Sequence, residues 1–219
     1  MLYLVATPIG NLEDLSSRAM RILREVDFIL AEDTRQTQKI LSRFDIHTKL
    51  VSFHEHASDE KIEWVISELK QGRNVALVSD AGTPNLSDPG GKLVESAMQA
   101  GTVISPIPGP SALTSLIAVA PFSCSQFLFL GYFPKKKGRQ TMLETIRSSE
   151  YPVFFYESPH RITKTLHFLA DGLEGFNILI GRELTKKFEE ISFFDLKEKS
   201  EIDKIKSKGE FVFSLVRKK

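Results

Sequence analysis

Val75-Ala76-Leu77-Val78-Ser79 runs directly into Asp80-Ala81-Gly82-Thr83-Pro84. A short valine-rich apolar run closed by a polar loop with Gly and Pro reads as a buried strand followed by a turn. The same grammar recurs at Leu2–Ala6, Phe28–Ala31, Leu50–Phe53 and Val103–Ile107. Between these runs Ala19, Ile22, Leu23 and Val26 recur at i, i+3, i+4 and i+7. Ile62, Val65, Ile66 and Leu69 repeat that spacing, and each set marks one helical face. Gly72 and Gly101 are placed as helix stops. Apolar strands alternating with helices predict an α/β protein whose sheet is parallel and covered on both faces.

Beyond Pro121 the pattern changes. Phe127–Leu130 and Val153–Tyr156 still read as buried strands, with a helix from Arg139 to Arg147 between them. His160–Leu169 predicts another helix, with Ile162, Leu166 and Leu169 on one side. Ile178–Ile180, Glu190–Phe194 and Glu210–Val216 follow as strands, with only the charged segment Lys197–Lys208 before the last. Neighbouring strands without a full helical crossover pair antiparallel, so this second sheet is expected to be mixed. The domain boundary is expected near Pro121–Ser125, giving domains 1–121 and 122–219.

The 219 residues carry 29 Lys+Arg against 28 Asp+Glu, a net charge of +1, which argues against a uniformly basic face that coats long nucleic acid. Apolar residues at 42% and charged residues at 26% exclude wholesale disorder. No stretch approaches the roughly 18 apolar residues of a membrane span. Met1–Thr7 lacks the basic segment and small-residue cleavage site of a signal peptide. The single Cys124 cannot form an internal disulfide. These features predict a cytoplasmic protein with no membrane partner.

Four loops follow strands and concentrate polar, Gly and Pro residues: Thr7–Asn11, Glu32–Arg35, Asp80–Pro84 and Pro108–Ala112. In open α/β sheets, ligands sit outside the carboxyl ends of the strands, where such loops meet. No G-x-G-x-x-G follows the first strand and no G-x-x-x-x-G-K-[ST] occurs, which opposes dinucleotide and P-loop chemistry. Gly82 lets the backbone approach a ligand closely, and Asp80 is placed to accept bonds from ligand hydroxyls or an amine. Ser87-Asp88-Pro89-Gly90 reads as a helix start, with Asp88 as the cap and Pro89 in the first turn. Pro110 suits a helical first turn, and Ser111 either caps locally or holds a ligand. None of these motifs calls for a metal.

Tyr3-Leu4-Val5-Ala6-Thr7-Pro8-Ile9-Gly10-Asn11-Leu12 resembles the opening of the bacterial 16S rRNA (cytidine-2′-O)-methyltransferases, which belong to the tetrapyrrole-methylase superfamily of S-adenosylmethionine enzymes. Glu32–Arg35, His54-Glu55-His56, Val78–Pro84, Pro108–Ala112, Phe155–Arg161, Arg182–Lys186 and Lys208–Val212 resemble further blocks, in the family's order along nearly the whole chain. The resemblance implies two α/β domains of the tetrapyrrole-methylase type, S-adenosyl-L-methionine in a cleft between them, and a homodimer. It implies 2′-O-methylation of a cytidine in 16S rRNA near the ribosomal decoding site, with the small subunit or its rRNA as partner. Carried onto this chain, the implied cofactor contacts are Ile9, Asp80, Thr83, Ser111 and Ala112, with others near Tyr156 and Leu184, while Gly82 and Pro108 shape the pocket. Asn85 and Gly91 depart from the pattern, standing where relatives often carry an apolar residue and an aromatic. Many relatives also continue into a further small C-terminal segment, whereas this sequence ends at Lys219.

Methyl transfer to a ribose hydroxyl is an in-line displacement that needs alignment and a route for the proton. Candidate bases are Glu32, Asp33, His54, His56, Glu183 and Lys186. Each has a plainer role open to it: Glu32-Asp33 before Thr34 as a helix cap, Glu183 as an ion pair with Arg182. Lys135-Lys136-Lys137-Gly138-Arg139, after the exposed-looking aromatics of Tyr132-Phe133-Pro134, is either a phosphate clamp or a solvated turn, and the resemblance favours the clamp. Arg35, Arg161, Lys186 and Lys187 extend the basic path, and Lys204–Lys208 and Arg217–Lys219 read as solvated surface. The competing readings are a small-molecule methyltransferase acting on a tetrapyrrole and a degenerate module that binds cofactor or RNA without turnover.

Overall fold

The computed structural model describes every residue except 55, 56, 89 and 219. Glu55 and His56 of the histidine block, Pro89 of the expected helix start, and Lys219 therefore lie outside the described residues.

Strand β1 (Leu2–Val5) alternates as a doubly covered strand must, because successive side chains point to opposite faces. Tyr3 and Val5 join the core layer under α1 (Ser17–Glu25) and α2 (Thr34–Arg43), with Ile22, Leu23, Ile40 and Leu41. Leu2 and Leu4 join the opposite layer under α3 (Asp59–Lys70) and α4 (Gly91–Gln99), with Val65, Leu69, Leu93 and Ala97. Strands β2 (Phe28–Ala31), β3 (Leu50–Ser52), β4 (Val75–Val78) and β5 (Ile104–Ile107) complete a wholly parallel sheet in the order β3-β2-β4-β1-β5. Every strand therefore releases its loop at the same edge, and β1 and β4, at the centre, release theirs side by side.

This first unit runs from Met1 to Ser111, and the second from Ala112 to Lys219. The division falls ahead of the expected Pro121–Ser125. Helix α5 (Ala112–Ala118) belongs to the second unit because it packs on the strand β10 (Phe211–Arg217). Its Leu116 also lies so near Gly181 that a Cβ there would meet Leu116 Cδ1 at 3.0 Å.

The second unit adds β6 (Leu128–Tyr132), α6 (Arg139–Ser148), β7 (Val153–Glu157), α7 (Ile162–Gly172), β8 (Phe176–Arg182), β9 (Glu190–Asp195) and α8 (Lys199–Lys204). The sheet order is β6-β7-β10-β8-β9, with β6 and β7 parallel and the remaining pairs antiparallel, so the sheet is mixed as expected. Its core holds Leu143, Phe155, Ile162, Leu166, Leu169, Ile178, Phe213 and Leu215. The charged stretch Lys197–Lys208 is not merely a connection, since α8 forms within it and buries Ile202 completely. Helix α7 begins two residues later than His160, with Arg161 as its N-cap residue.

Candidate functional site

In the first unit the four loops meet as a bonded cluster. Thr7 and Gly82 exchange backbone hydrogen bonds of 2.9 Å, joining the loops after β1 and β4. Two buried hydroxyls brace this junction: Thr7 Oγ1 donates to the Ser79 carbonyl at 2.9 Å, and Ser79 Oγ donates to the Gly82 carbonyl at 2.8 Å. The Asp33 amide donates to Asp80 Oδ1 at 3.0 Å, bringing in the loop after β2. Thr83 Oγ1 donates to the Pro110 carbonyl at 3.2 Å, bringing in the loop after β5. Ile9 is buried against Gly82, where a Cβ would come within 3.4 Å of Ile9 Cγ2 and 4.0 Å of the Ser111 Cα. Gly109 sits where a Cβ would stand 3.0 Å from Ala6 Cβ, so that loop tolerates no side chain without shifting. Asp80, Thr83 and Pro108 stay exposed at this edge, and one bond to Asp33 leaves most of the Asp80 carboxylate's accepting capacity in hand. Ile9, Asp80, Gly82, Thr83, Pro108 and Ser111 are thus drawn together, with Ala112 following as the first residue of α5. Thr7 and Ser79 went unassigned in the sequence; a short hydroxylated residue within two positions of the end of each central strand is the signal that marks them.

One expected role is corrected next to this cluster. Asp88 is not the N-cap of α4: the helix starts at Gly91, and Gly90 occupies the cap position at φ 152°. Asn85 has a left-handed φ of 67°, a conformation that Asn tolerates better than most residues. Its Oδ1 would lie 3.2 Å from a Cβ on Gly91, so the two departures from the family pattern face each other, and the small residue makes room for the amide.

Of the base candidates, Asp33 caps α2 by accepting from the Arg35 amide at 2.9 Å. Arg35 also grips it at two points, Nε to Oδ1 at 3.1 Å and Nη2 to Oδ2 at 2.9 Å. That guanidinium, with the helix amide, holds the Asp33 carboxyl at about 2. A carboxylate so stabilised is a weak proton acceptor. Glu32 is half-buried beside it, and His54 Nε2 lies 2.7 Å from Ser52 Oγ.

The expected pairing of Glu183 with Arg182 does not occur. Arg182 pairs with Glu190 at 3.0 Å and donates to the Lys208 and Phe188 carbonyls. Glu183 instead binds Lys186 Nζ at 2.9 Å and accepts from the Glu210 amide at 3.0 Å, while Lys186 reaches Glu210 at 2.8 Å. Burial opposes ionisation of both Glu183 and Lys186. Their hydrogen bonds outweigh it, so the carboxyl is lowered and the ammonium raised. This turn carries left-handed φ values at Glu183 (51°) and Thr185 (66°), with Leu184 buried between them. Lys187 lies exposed over the Phe188 ring.

The basic loop is only partly what its sequence promised. Lys135, Lys136 and Lys137 are exposed, but Arg139 lies over the Phe168 ring at 4.2 Å and the Phe133 ring at 5.2 Å. Phe133 is not an exposed aromatic: at 1% exposure it is core. Arg161 is not free for phosphate either. It pairs with Glu157, whose side chain is fully buried, and Nη1 donates to the Phe133 carbonyl at 3.0 Å. Glu157 further accepts from the Ser158 amide at 2.7 Å and Thr165 Oγ1 at 2.8 Å. Glu157 is a structural centre that the sequence reading missed, since a single acidic residue at a strand end looks like surface. Tyr156, half-buried on β7, meets the rings of Phe129 and Tyr132 edge-on at 5.0 and 5.7 Å.

A parallel sheet that pools bonded loops at its carboxyl edge, followed by a mixed-sheet unit, has known counterparts. Residues 1–200 match the family described as Tetrapyrrole (Corrin/Porphyrin) Methylases, and the chain belongs to that family. The structure of diphthine synthase superposes with a TM-score of 0.78 at 14% identity, covering 99% of this chain and 89% of that one, a likeness of fold. Within the family the chain is similar to curated proteins named ribosomal RNA small subunit methyltransferase I. The one from Halalkalibacterium halodurans is 49% identical over 86% of this chain and 66% of its own length, so the chain spans just under two thirds of that relative. The one from Leptospira biflexa is 40% identical, covering 100% of this chain and 92% of the relative.

Proposed function

We propose that this chain is an S-adenosyl-L-methionine-dependent methyltransferase of small-subunit rRNA that methylates the ribose 2′-oxygen of a cytidine near the decoding site, acting as a cytoplasmic homodimer. The observation that carries this reading is the 40–49% identity, across most of the chain, to relatives named for methylation of small-subunit rRNA. The site chemistry supports the cofactor. Asp80 offers an exposed carboxylate to ribose hydroxyls or an amine, on a turn that Gly82 holds with a left-handed φ of 85° while packed against Ile9.

When bound, S-adenosylmethionine supplies an electrophilic methyl group. In this reading Ile9, Asp80, Thr83, Ser111 and Ala112 hold it, with Tyr156 and Leu184 as further contacts. Lys135, Lys136 and Lys137 grip RNA phosphates, joined by Arg35 and Lys187. Alignment of the 2′-oxygen provides most of the rate gain. Asp33 and Glu183 are weakened as proton acceptors by their partners and Lys186 is held protonated, which leaves Glu32, His54 and His56 as the candidates for receiving the hydroxyl proton.

The test is transfer of labelled methyl from S-adenosylmethionine to small subunits unmodified at this site, with mapping of the nucleotide. Label at a cytidine 2′-oxygen is the expected result. Cofactor binding without rRNA labelling would overturn the substrate assignment, and turnover of a tetrapyrrole acid in its place would establish the small-molecule reading.

A further inference from the structure

We propose that Tyr132 is a base-stacking platform, which holds a splayed nucleobase of the RNA beside the lysine loop. The inference rests on the rRNA reading above and adds to it how a nucleotide is gripped. In a regular strand Phe129 and Tyr132, three residues apart, point to opposite faces. Here the β6–β7 register breaks between them, and Gly131 takes a left-handed φ of 65°. The irregularity turns Tyr132 to the same side as Phe129, so that both rings meet Tyr156. It also sends the next residue, Phe133, into the core. Such irregularities re-aim a side chain, and they are frequent beside functional sites.

The ring thus aimed is 58% exposed, although a buried position of the opposite parity was one residue away. It stands at the end of an edge strand, three to five residues before Lys135, Lys136 and Lys137, all exposed. An aromatic face beside clustered cations is the chemistry that binds single-stranded nucleic acid, bases on the ring and phosphates on the lysines. The edge-on contact with Tyr156 braces the ring from behind. Two anchors hold the lysines in register with it: Arg161 on the Phe133 carbonyl and Arg139 on the Phe168 ring.

The experiment uses the full chain and a single-stranded fragment of 16S rRNA with 2-aminopurine placed in turn at positions around the modified cytidine. Wild-type protein is expected to quench the fluorophore at one position. Tyr132→Phe and Tyr132→Trp keep the quench. Tyr132→Ala loses it and binds the fragment about tenfold more weakly, while calorimetric affinity for S-adenosylmethionine is unchanged. Tyr132→Leu, which keeps apolar volume against Tyr156, behaves as the alanine variant and excludes collapse of the strand as the cause. The K135A/K136A/K137A protein binds weakly but retains the quench at saturating fragment. Wild-type quench and affinity in Tyr132→Leu would overturn the proposal, as would equal losses in Tyr132→Phe and Tyr132→Ala. Parallel losses of RNA and cofactor affinity would also overturn it, making Tyr132 a support for Tyr156. If wild-type protein neither binds nor methylates rRNA, the rRNA reading itself fails, a result separate from any difference among variants.

Discussion

Asp33 shows how a residue's chemistry is set by its partners. Its carboxyl sits at about 2 in the folded chain against an ordinary 3.8, because Arg35 and the amides of α2 favour the anion. A depressed carboxyl contributes stability above its ordinary value and loses that contribution as pH falls through the folded one. Urea midpoints measured from pH 5 down to about 2 are therefore expected to decline less steeply in Asp33→Asn. Asn also caps well, so methyl transfer by this variant should stay within a few-fold of wild type. A drop on the order of 100-fold in kcat would instead make Asp33 the base. Glu157 is the opposite case, a carboxylate tied inside the fold to Arg161, Thr165 and the Ser158 amide. Glu157→Gln leaves Arg161 unpaired and is expected to cost about 3 kcal/mol in urea unfolding, near the low end for a broken buried pair because Arg161 retains some solvent. Ile162, Leu166 and Leu169 behind this site were readable as core from spacing alone, whereas Phe133 reads from the sequence as an exposed aromatic. The bond from Arg161 to the Phe133 carbonyl was not readable, since the two lie 28 positions apart.

At the scale of elements, the turn after β8 depends on a glycine from another segment. A Cβ on Gly209 would lie 2.4 Å from Glu183 Cγ, and Gly209 itself has a φ of 93°. Gly209→Ala thus combines an unfavourable backbone with displacement of the side chain that binds Lys186 and the Glu210 amide. A loss on the order of 2 kcal/mol is expected from chemical denaturation. Near-wild-type stability would mean that the turn is not held by this packing. Nearly every strand was legible, because apolar runs between loops identify strands in either sheet. Helix α8 was missed because so short an element buries a single residue, Ile202, among charged neighbours. The start of α4 was misplaced because the cap sequence at Asp88 competes with a glycine pair that enters the helix at Gly90.

For the whole molecule, net charge conceals distribution. The sum is +1, yet three exposed lysines stand together at Lys135–Lys137. Each phosphate contact on single-stranded RNA contributes roughly 0.7 to the slope of log affinity against log salt. The K135A/K136A/K137A protein is therefore expected to lower that slope by about 2 in filter-binding titrations, and an unchanged slope would remove the loop from the RNA path. By itself the sequence determined the alternation of strands and helices, the parallel sheet with its four loops at one edge, the mixed second sheet and the family. All of these follow from periodicity and from ordered local motifs, which the chain carries whatever its distant contacts. Only the tertiary structure decided which polar groups are committed. It tied Asp80 to Asp33, gave Glu183 to Lys186 instead of Arg182, buried Glu157 and Phe133, and turned Tyr132 outward at an irregular strand. The physical reason is that hydrogen bonds and ion pairs are short-range, so their partners are chosen by which chain segments the fold brings within about 3 Å.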